Sequence, residues 1–159
     1  KKKKRHKFQP YVGFLSILRS IKRENLTPLD RNKQADMVEM AYGTYVRFGT
    51  YGEPSLMPTK VVEAMVWVAK SWTGYTHQWN KDWAKDYGKW FMASTHSQDE
   101  AITASEKAYR SFIATNDGTE NAVSCPASKE MNYKSNCASC GLCSGLVGKG
   151  KKDIKILQH

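Results

Sequence analysis

Short apolar bursts alternate along the chain with stretches of mixed polarity, and the period of the pattern changes between them. In residues 11–24 (YVGFLSILRSIKRE), Phe14, Leu15, Ile17, Leu18 and Ile21 recur at helical spacing with basic residues between them. That predicts a helix with a basic face, packed on the domain or set against a membrane surface or RNA. The stretch NLTPLD breaks it at Pro28. A repeating theme follows. TYVRFGTYGEP (44–54) reads as a short strand and a glycine-containing loop closed by Pro54. TKVVEAMVWVAKSW (59–72) reads as a helix buried on one side, and TGYTHQW (73–79) as the next strand. KDWAKDYG (81–88) is a helical turn ending on Gly88, and KWFMASTHS (89–97) is a third strand. Ser97 and Glu100 have the spacing of a capping box for a helix with a small-residue face, Ala101, Ala104 and Ala108. YRSFIATND (109–117), NAVSC (121–125) and DIKIL (153–157) complete the strands.

Strands alternating with helices of this length predict an α/β fold of successive βα units with a mainly parallel sheet, either an open layer or a partial or distorted βα barrel. Functional residues of such folds gather at the carboxyl ends of the strands. Arg47, Thr50, Glu53, His77, Gln78, Ser94, His96, Asn116, Asp117, Cys125 and His159 all fall in or after a predicted strand. The expectation is one polar rim where histidines meet the cysteine-rich stretch. Polar residues also begin ordinary loops, which accounts for part of this pattern. The five tryptophans lie between residues 67 and 90 and are expected in helix–sheet packing, with Trp79 placed to stack a base or cofactor.

Charge changes the picture at the ends. Residues 1–33 hold 11 Lys/Arg and 2 Asp/Glu, residues 34–128 hold 8 and 11, and residues 129–159 hold 6 and 2. An ordinary soluble middle is thus flanked by basic ends. The arm, residues 1–10, carries Lys1, Lys2, Lys3, Lys4, Arg5 and Lys7. It is either a solvated tail or an electrostatic contact to nucleic acid or a nucleoprotein assembly. Residues 11–159 read as a single domain. No apolar run reaches the ~18 residues of a membrane span. No signal-peptide pattern follows the basic start, which points to a reducing compartment.

All four cysteines, Cys125, Cys137, Cys140 and Cys143, fall in residues 124–145 (SCPASKEMNYKSNCASCGLCSG). Thiols this close together in a CxxCxxC run suit disulfides poorly. Four thiolates suit zinc, although zinc sites usually come as two separated pairs. One cysteine plus a CxxCxxC run is nearer the ligand set of a [4Fe–4S] cluster. Zinc and the cluster therefore both stand as candidate cofactors. GLVGKGKK (145–152) lacks the phosphate-loop spacing and reads as a flexible basic loop.

RFGTYGEP (47–54), WTGYTHQW (72–79), MAS (92–94), YRSF (109–112), CPAS (125–128), CASCGLCSG (137–145) and DIKIL occur in this order. In this the chain resembles a family of uncharacterised bacteriophage proteins, themselves similar to radical-SAM-like half-barrel or barrel proteins, over roughly residues 11–159. The resemblance implies an α/β fold with a cysteine-bound metal at the strand ends, in a host-cell cytoplasm or a virion. It also implies an earlier cysteine cluster ending in Cys-Tyr-Val. Here QPYV (9–12) has Pro10 at that last cysteine, and no cysteine precedes Cys125. That departure favours a non-catalytic relative.

Two functions follow as expectations. The first is a metal-binding structural component associated with nucleic acid or an assembly. The second is an iron–sulfur or radical-SAM-like enzyme acting on a nucleotide or RNA. Its pocket would hold Arg47, Glu53, His77 and His96, with His77 as acid/base because an imidazole titrates near neutrality. A third reading has the arm and first helix on an acidic protein or a membrane surface.

Overall fold

The computed structural model describes residues 31–158 apart from 51 and 120, with side chains from residue 34 onward. The basic arm, the helix expected over 11–24 and His159 lie outside the described residues.

The chain is a mixed α/β protein whose described strand pairs are all parallel. Helix α1 spans Arg31–Ala41 and β1 spans Tyr45–Arg47. Helix α2 (Thr59–Val68) leads into β2 (Ser71–Thr73) and β3 (Tyr75–Thr76). A 3₁₀ helix at Asp82–Lys89 precedes β4 (Met92–Thr95). Then come α3 (Gln98–Glu106), β5 (Ser111–Ala114) and β6 (Ala122–Ser124). The one-turn helix α4 (Cys137–Cys140) and β7 (Asp153–Ile156) close the series. β1 and β2 form a two-stranded sheet, and the other strands form a five-stranded sheet in the order β3-β4-β5-β7-β6.

The expected strand over 73–79 divides at Gly74, where the chain leaves one sheet and enters the other. A Cβ on Gly74 would stand 3.0 Å from both Phe48 and Phe91, so the crossing point is tight and a side chain there would have to push these rings aside. The helix expected over 59–72 ends at Val68 instead. Ala69 turns extended, Lys70 N–H donates to the Thr44 carbonyl at 2.8 Å, and Trp72 pairs with Val46. Strand pairing outweighs helical spacing at these four residues. Helix α1, for which the sequence shows no strong apolar face, packs on α2 through Met37 and Val38.

The core lies between the helices and the sheet. Val61, Val62 and Met65 of α2 meet Phe48, Tyr87, Trp90 and Phe91. Ala101 and Ala104 of α3 are buried, and α3 packs on β4 and β5. Burial of this apolar surface contributes about 25 cal/mol per Å². Along β5 burial alternates: Ser111 and Ile113 are buried, Phe112 and Ala114 half-buried. The face away from α3 therefore carries Phe112. Ile154 pairs with it in register, and the Tyr75 ring stacks on it at 4.8 Å and 18°. Among the described residues no helix is long and apolar enough to cross a membrane.

Candidate metal centre

Parallel strands need a crossover of a dozen or more residues, usually a helix that buries its own apolar face. Between β6 and β7 the crossover is residues 125–152, and its helices are a 3₁₀ turn at Lys129–Met131 and α4. Its buried residues are all glycine or serine: Gly141, Ser144, Gly145, Gly148 and Gly150. With little apolar side chain to bury, the segment is held by polar bonds.

Those bonds are specific. Gly74 N–H donates to the Cys143 carbonyl at 2.9 Å, and Gly145 N–H to the Trp90 carbonyl at 2.9 Å. Leu146 and Val147 N–H reach the Gly88 and Lys89 carbonyls at 3.0 and 3.1 Å. Stretch 145–152, expected to be a flexible loop, is thus pinned through residues 145–147 to the backbone of 88–90. Its glycines allow the approach: a Cβ on Gly145 would sit 2.5 Å from the Gly88 and Lys89 carbonyl oxygens. Gly88, read from sequence as a helix end, serves a similar purpose, because the Ala108 carbonyl fills the place of its Cβ.

Arg110 is the central fastener. It is buried at 6% exposure, and its Nη1 donates to the carbonyls of Leu142 at 3.1 Å and Ser144 at 2.5 Å. Its Nη2 donates to the Lys152 carbonyl. Burial lowers its pKa, opposed by the charges of Asp153 and Cys143. A guanidinium stays protonated through such shifts, so a fixed positive charge sits beneath the cysteine segment. Its sequence signal is a single arginine immediately before β5, in YRSF.

Each cysteine has a local reason for its place. Cys125 follows β6, with its N–H bonded to the Lys155 carbonyl at 2.8 Å. Its thiol pKa is raised by burial first, while backbone N–H groups of Ala127 and Ser128 directed at the sulfur favour the thiolate. Asn136 caps α4 reciprocally with Ser139, and Gly141 ends it at φ +64. Cys137 and Cys140, three apart on this turn, share one side. The left-handed Gly141 then reverses the chain toward Cys143. Burial pushes the Cys143 thiol up to about 12, reinforced by Cys125, Cys137 and Cys140 and opposed by Arg110.

All four sulfur-bearing residues line one small cavity of about 10 Å³, closed by Thr73, Leu142 and Ile154. The cysteines are free thiols. Among the described residues no three Cys, His, Asp or Glu side chains are drawn in to metal-ligand geometry. The four cysteines picked out by spacing thus line one gap, without being drawn in to ligand geometry around it.

The other candidates lie apart from that cavity. The Glu53 carboxylate accepts from Ser55 N–H at 3.1 Å, Ser55 Oγ at 2.7 Å and His77 N–H at 3.1 Å. It ties the loop after β1 to the end of β3. The His77 and His96 side chains are exposed, and neither lines the cysteine cavity. His96 N–H donates to the Glu100 carboxylate at 2.7 Å. The capping carboxylate therefore reaches one residue past Ser97, whose Oγ caps Glu100 N–H at 3.1 Å. Trp79 is buried and donates to the Ser94 carbonyl at 3.0 Å, which leaves it a packing residue. Arg47 Nη2 donates to the Tyr75 hydroxyl at 2.9 Å. Tyr75 is in turn close enough to Cys143 and Cys137 to feel their charge. Of the four rim candidates, Arg47 is the one connected to the cysteines, through a tyrosine that the sequence did not single out.

Comparison with protein-family models, curated proteins and solved structures found no match to this chain.

Proposed function

We propose that this chain is a metal-binding α/β protein in which Cys125, Cys137, Cys140 and Cys143 hold zinc or a [4Fe–4S] cluster. The observation that carries this reading is the convergence of all four thiols on one cavity from two separate chain segments. Thiolates held by backbone N–H groups and set near a buried guanidinium are the donor set a thiophilic metal needs. The gap of about 10 Å³ takes roughly one water-sized sphere. That volume supports a single zinc ion over a cubane, which would require the crossover segment to move outward. A metal would supply the cohesion that a crossover with few apolar side chains lacks.

In this reading the two parallel sheets are sectors of a partial βα barrel, and the metal fastens the segment lying across its open face. The basic arm, Lys1–Lys4, Arg5 and Lys7, docks the domain on nucleic acid or a nucleoprotein assembly by phosphate attraction. The phage-type role drawn from the motif order, in host cytoplasm or virion, belongs to the same reading.

Anaerobic purification followed by metal analysis and an absorption spectrum tests it. One zinc per chain and no visible absorbance is the expected result. Iron and sulfide with broad absorbance near ~400 nm would establish the cluster instead. A chain that takes up neither metal, with thiols freely titratable in the presence of zinc, removes the reading.

The enzymatic alternative rests on Arg47 alone among the rim residues, because Arg47 is the one linked to the cysteines.

A further inference from the structure

A cleft of about 300 Å³ opens beside the cysteines, between the β1–β2 sheet and α4. Its walls include Val46, Trp72 and Cys137, with Arg47 at one side. A second cleft of about 310 Å³ shares Tyr45, Ser71, Trp72 and Ala138 with it, and adds Lys70 and Lys149. The two are therefore neighbours across Trp72 and Ala138. Among the described residues three cations line them, and neither lining contains an aspartate or glutamate.

The state of the cations matters. Lys149 Nζ donates to the Cys140 carbonyl at 3.1 Å, and Lys70 Nζ lies 5.0 Å from the Tyr45 ring centre. Arg47 is exposed and has no carboxylate partner among the described residues. Its one side-chain bond, to the Tyr75 hydroxyl, uses a single N–H of the five a guanidinium carries. The phenol is fixed by its stack on Phe112, so the guanidinium is steadied while most of its donors stay available. A planar fork of this kind recognises carboxylate or phosphate through paired hydrogen bonds. Val46 and Trp72 turn toward the core, where the Trp72 indole N–H donates to the Trp90 carbonyl at 2.8 Å. On the Arg47 side of the sheet the aromatic surface is therefore the exposed Tyr45 ring, two residues along the same strand face.

We infer that these joined clefts bind a small organic anion. Its carboxylate or phosphate sits on Arg47, and its planar body lies beside the Tyr45 ring, along the outer side of α4. The ligand then lies beside Cys137 and Cys140. That it lies beside a metal rests on the reading of the thiols given above; the anion site itself rests on the cleft and its cations.

The experiment is a titration of the full chain, with metal content measured separately, followed by the side-chain Nε–H resonance of Arg47 and the ring resonances of Tyr45. Phenyl phosphate and benzoate are the anionic probes, and benzyl alcohol is the neutral probe of similar size. Saturable binding of either anion, at least tenfold tighter than benzyl alcohol and weakened at least tenfold in Arg47→Gln, is expected. The better of the two anions assigns phosphate or carboxylate. Arg47→Lys, which keeps charge without the fork, is expected to fall between. No binding by either anion, equal binding of the neutral probe, or unchanged binding in Arg47→Gln overturns the inference. Anion binding to a chain that takes up no metal upholds the cleft while refuting the metal reading. Metal uptake without anion binding does the reverse.

Discussion

Arg110 Nη1 lies 2.5 Å from the Ser144 carbonyl oxygen, inside the protein and across 34 positions of sequence. The same side chain holds the Leu142 and Lys152 carbonyls. Arg110→Met would leave these buried acceptors without a donor. The unfolding free energy is expected to fall by about 1–3 kcal/mol, the cost of leaving buried acceptors unsatisfied. Arg110→Lys, with charge but no fork, should lose less. Urea unfolding at fixed metal content measures both. A loss below about 1 kcal/mol would mean that these carbonyls find other partners.

Gly145→Ala tests the seam between the crossover segment and residues 88–90. Its new methyl would press on the Gly88 and Lys89 carbonyls and on Trp90 N, all backbone atoms with no room to rotate away. A loss of about 1–3 kcal/mol is expected from overpacking. Gly118→Ala is the control, because nothing lies within 4 Å of its Cβ position. It should be neutral, or gain up to about 1 kcal/mol through the unfolded chain. Equal effects of the two substitutions would place the segment differently.

Alkaline pH should weaken the fold through Tyr109. Its hydroxyl donates to the Ala84 carbonyl inside the core. Burial first, then the charges of Glu53, Tyr87 and Asp86, hold its pKa well above the ordinary tyrosine value. A raised folded-state pKa gives stability that is whole below the unfolded value of about 10 and is lost as pH rises beyond it. Chemical unfolding from pH 8.5 to 11.5 should therefore show a falling midpoint, and Tyr109→Phe should flatten the fall. Burial likewise raises Tyr75 and Tyr87, so some decline should persist in the variant. A wild-type midpoint indifferent to pH in this window would rule out the proposed coupling.

In the metal-free chain the thiols should differ sharply in reactivity. Cys137 is exposed, whereas the Cys143 thiol is pushed up to about 12, mainly by burial. Since the thiolate is the nucleophile, timed alkylation at pH 8 read by mass spectrometry should label Cys143 last. Added zinc should then protect all four cysteines together. Protection of Cys137 and Cys140 alone would show a two-cysteine site and exclude the proposed four-thiolate centre.

The arm makes a separate prediction. Deleting residues 1–8 removes six Lys/Arg. If the arm contacts duplex phosphates, the slope of log affinity against log salt should fall by up to about 0.9 for each lost contact. Unchanged, salt-insensitive nucleic-acid binding would assign the interaction elsewhere.

The sequence revealed the strands more readily than what lies between them. Alternation survives along SFIA, with Ser111 and Ile113 buried and Phe112 and Ala114 half-buried, whereas MAST is buried on both faces apart from Ser94. The division at Gly74 was not legible, since the crowding at that position comes from Phe48 and Phe91, distant in sequence. KSW continued a helical pattern until its pairing with β1 prevailed. The cysteines were found by spacing alone. Tyr75, Lys70 and Lys149 were not, because a cationic cleft without carboxylates exists only once β2 and α4 are brought together. His77 looked reactive by residue type, but it is the backbone N–H of His77 that Glu53 engages.

The strand order has a consequence for the timing of folding. Strand β6 pairs with β7 and lies at the sheet edge, while β7 occupies the place between β5 and β6. During synthesis β6 emerges well before its neighbour exists. Cys125 is fixed by the Lys155 carbonyl, so it also waits for the last strand. Any metal that meets the nascent CxxCxxC run encounters three thiols near each other and the fourth still unanchored. Completion of the sheet and closure of the four-thiol cavity are thus one late event, and a chain released before residues 153–156 are made would have neither.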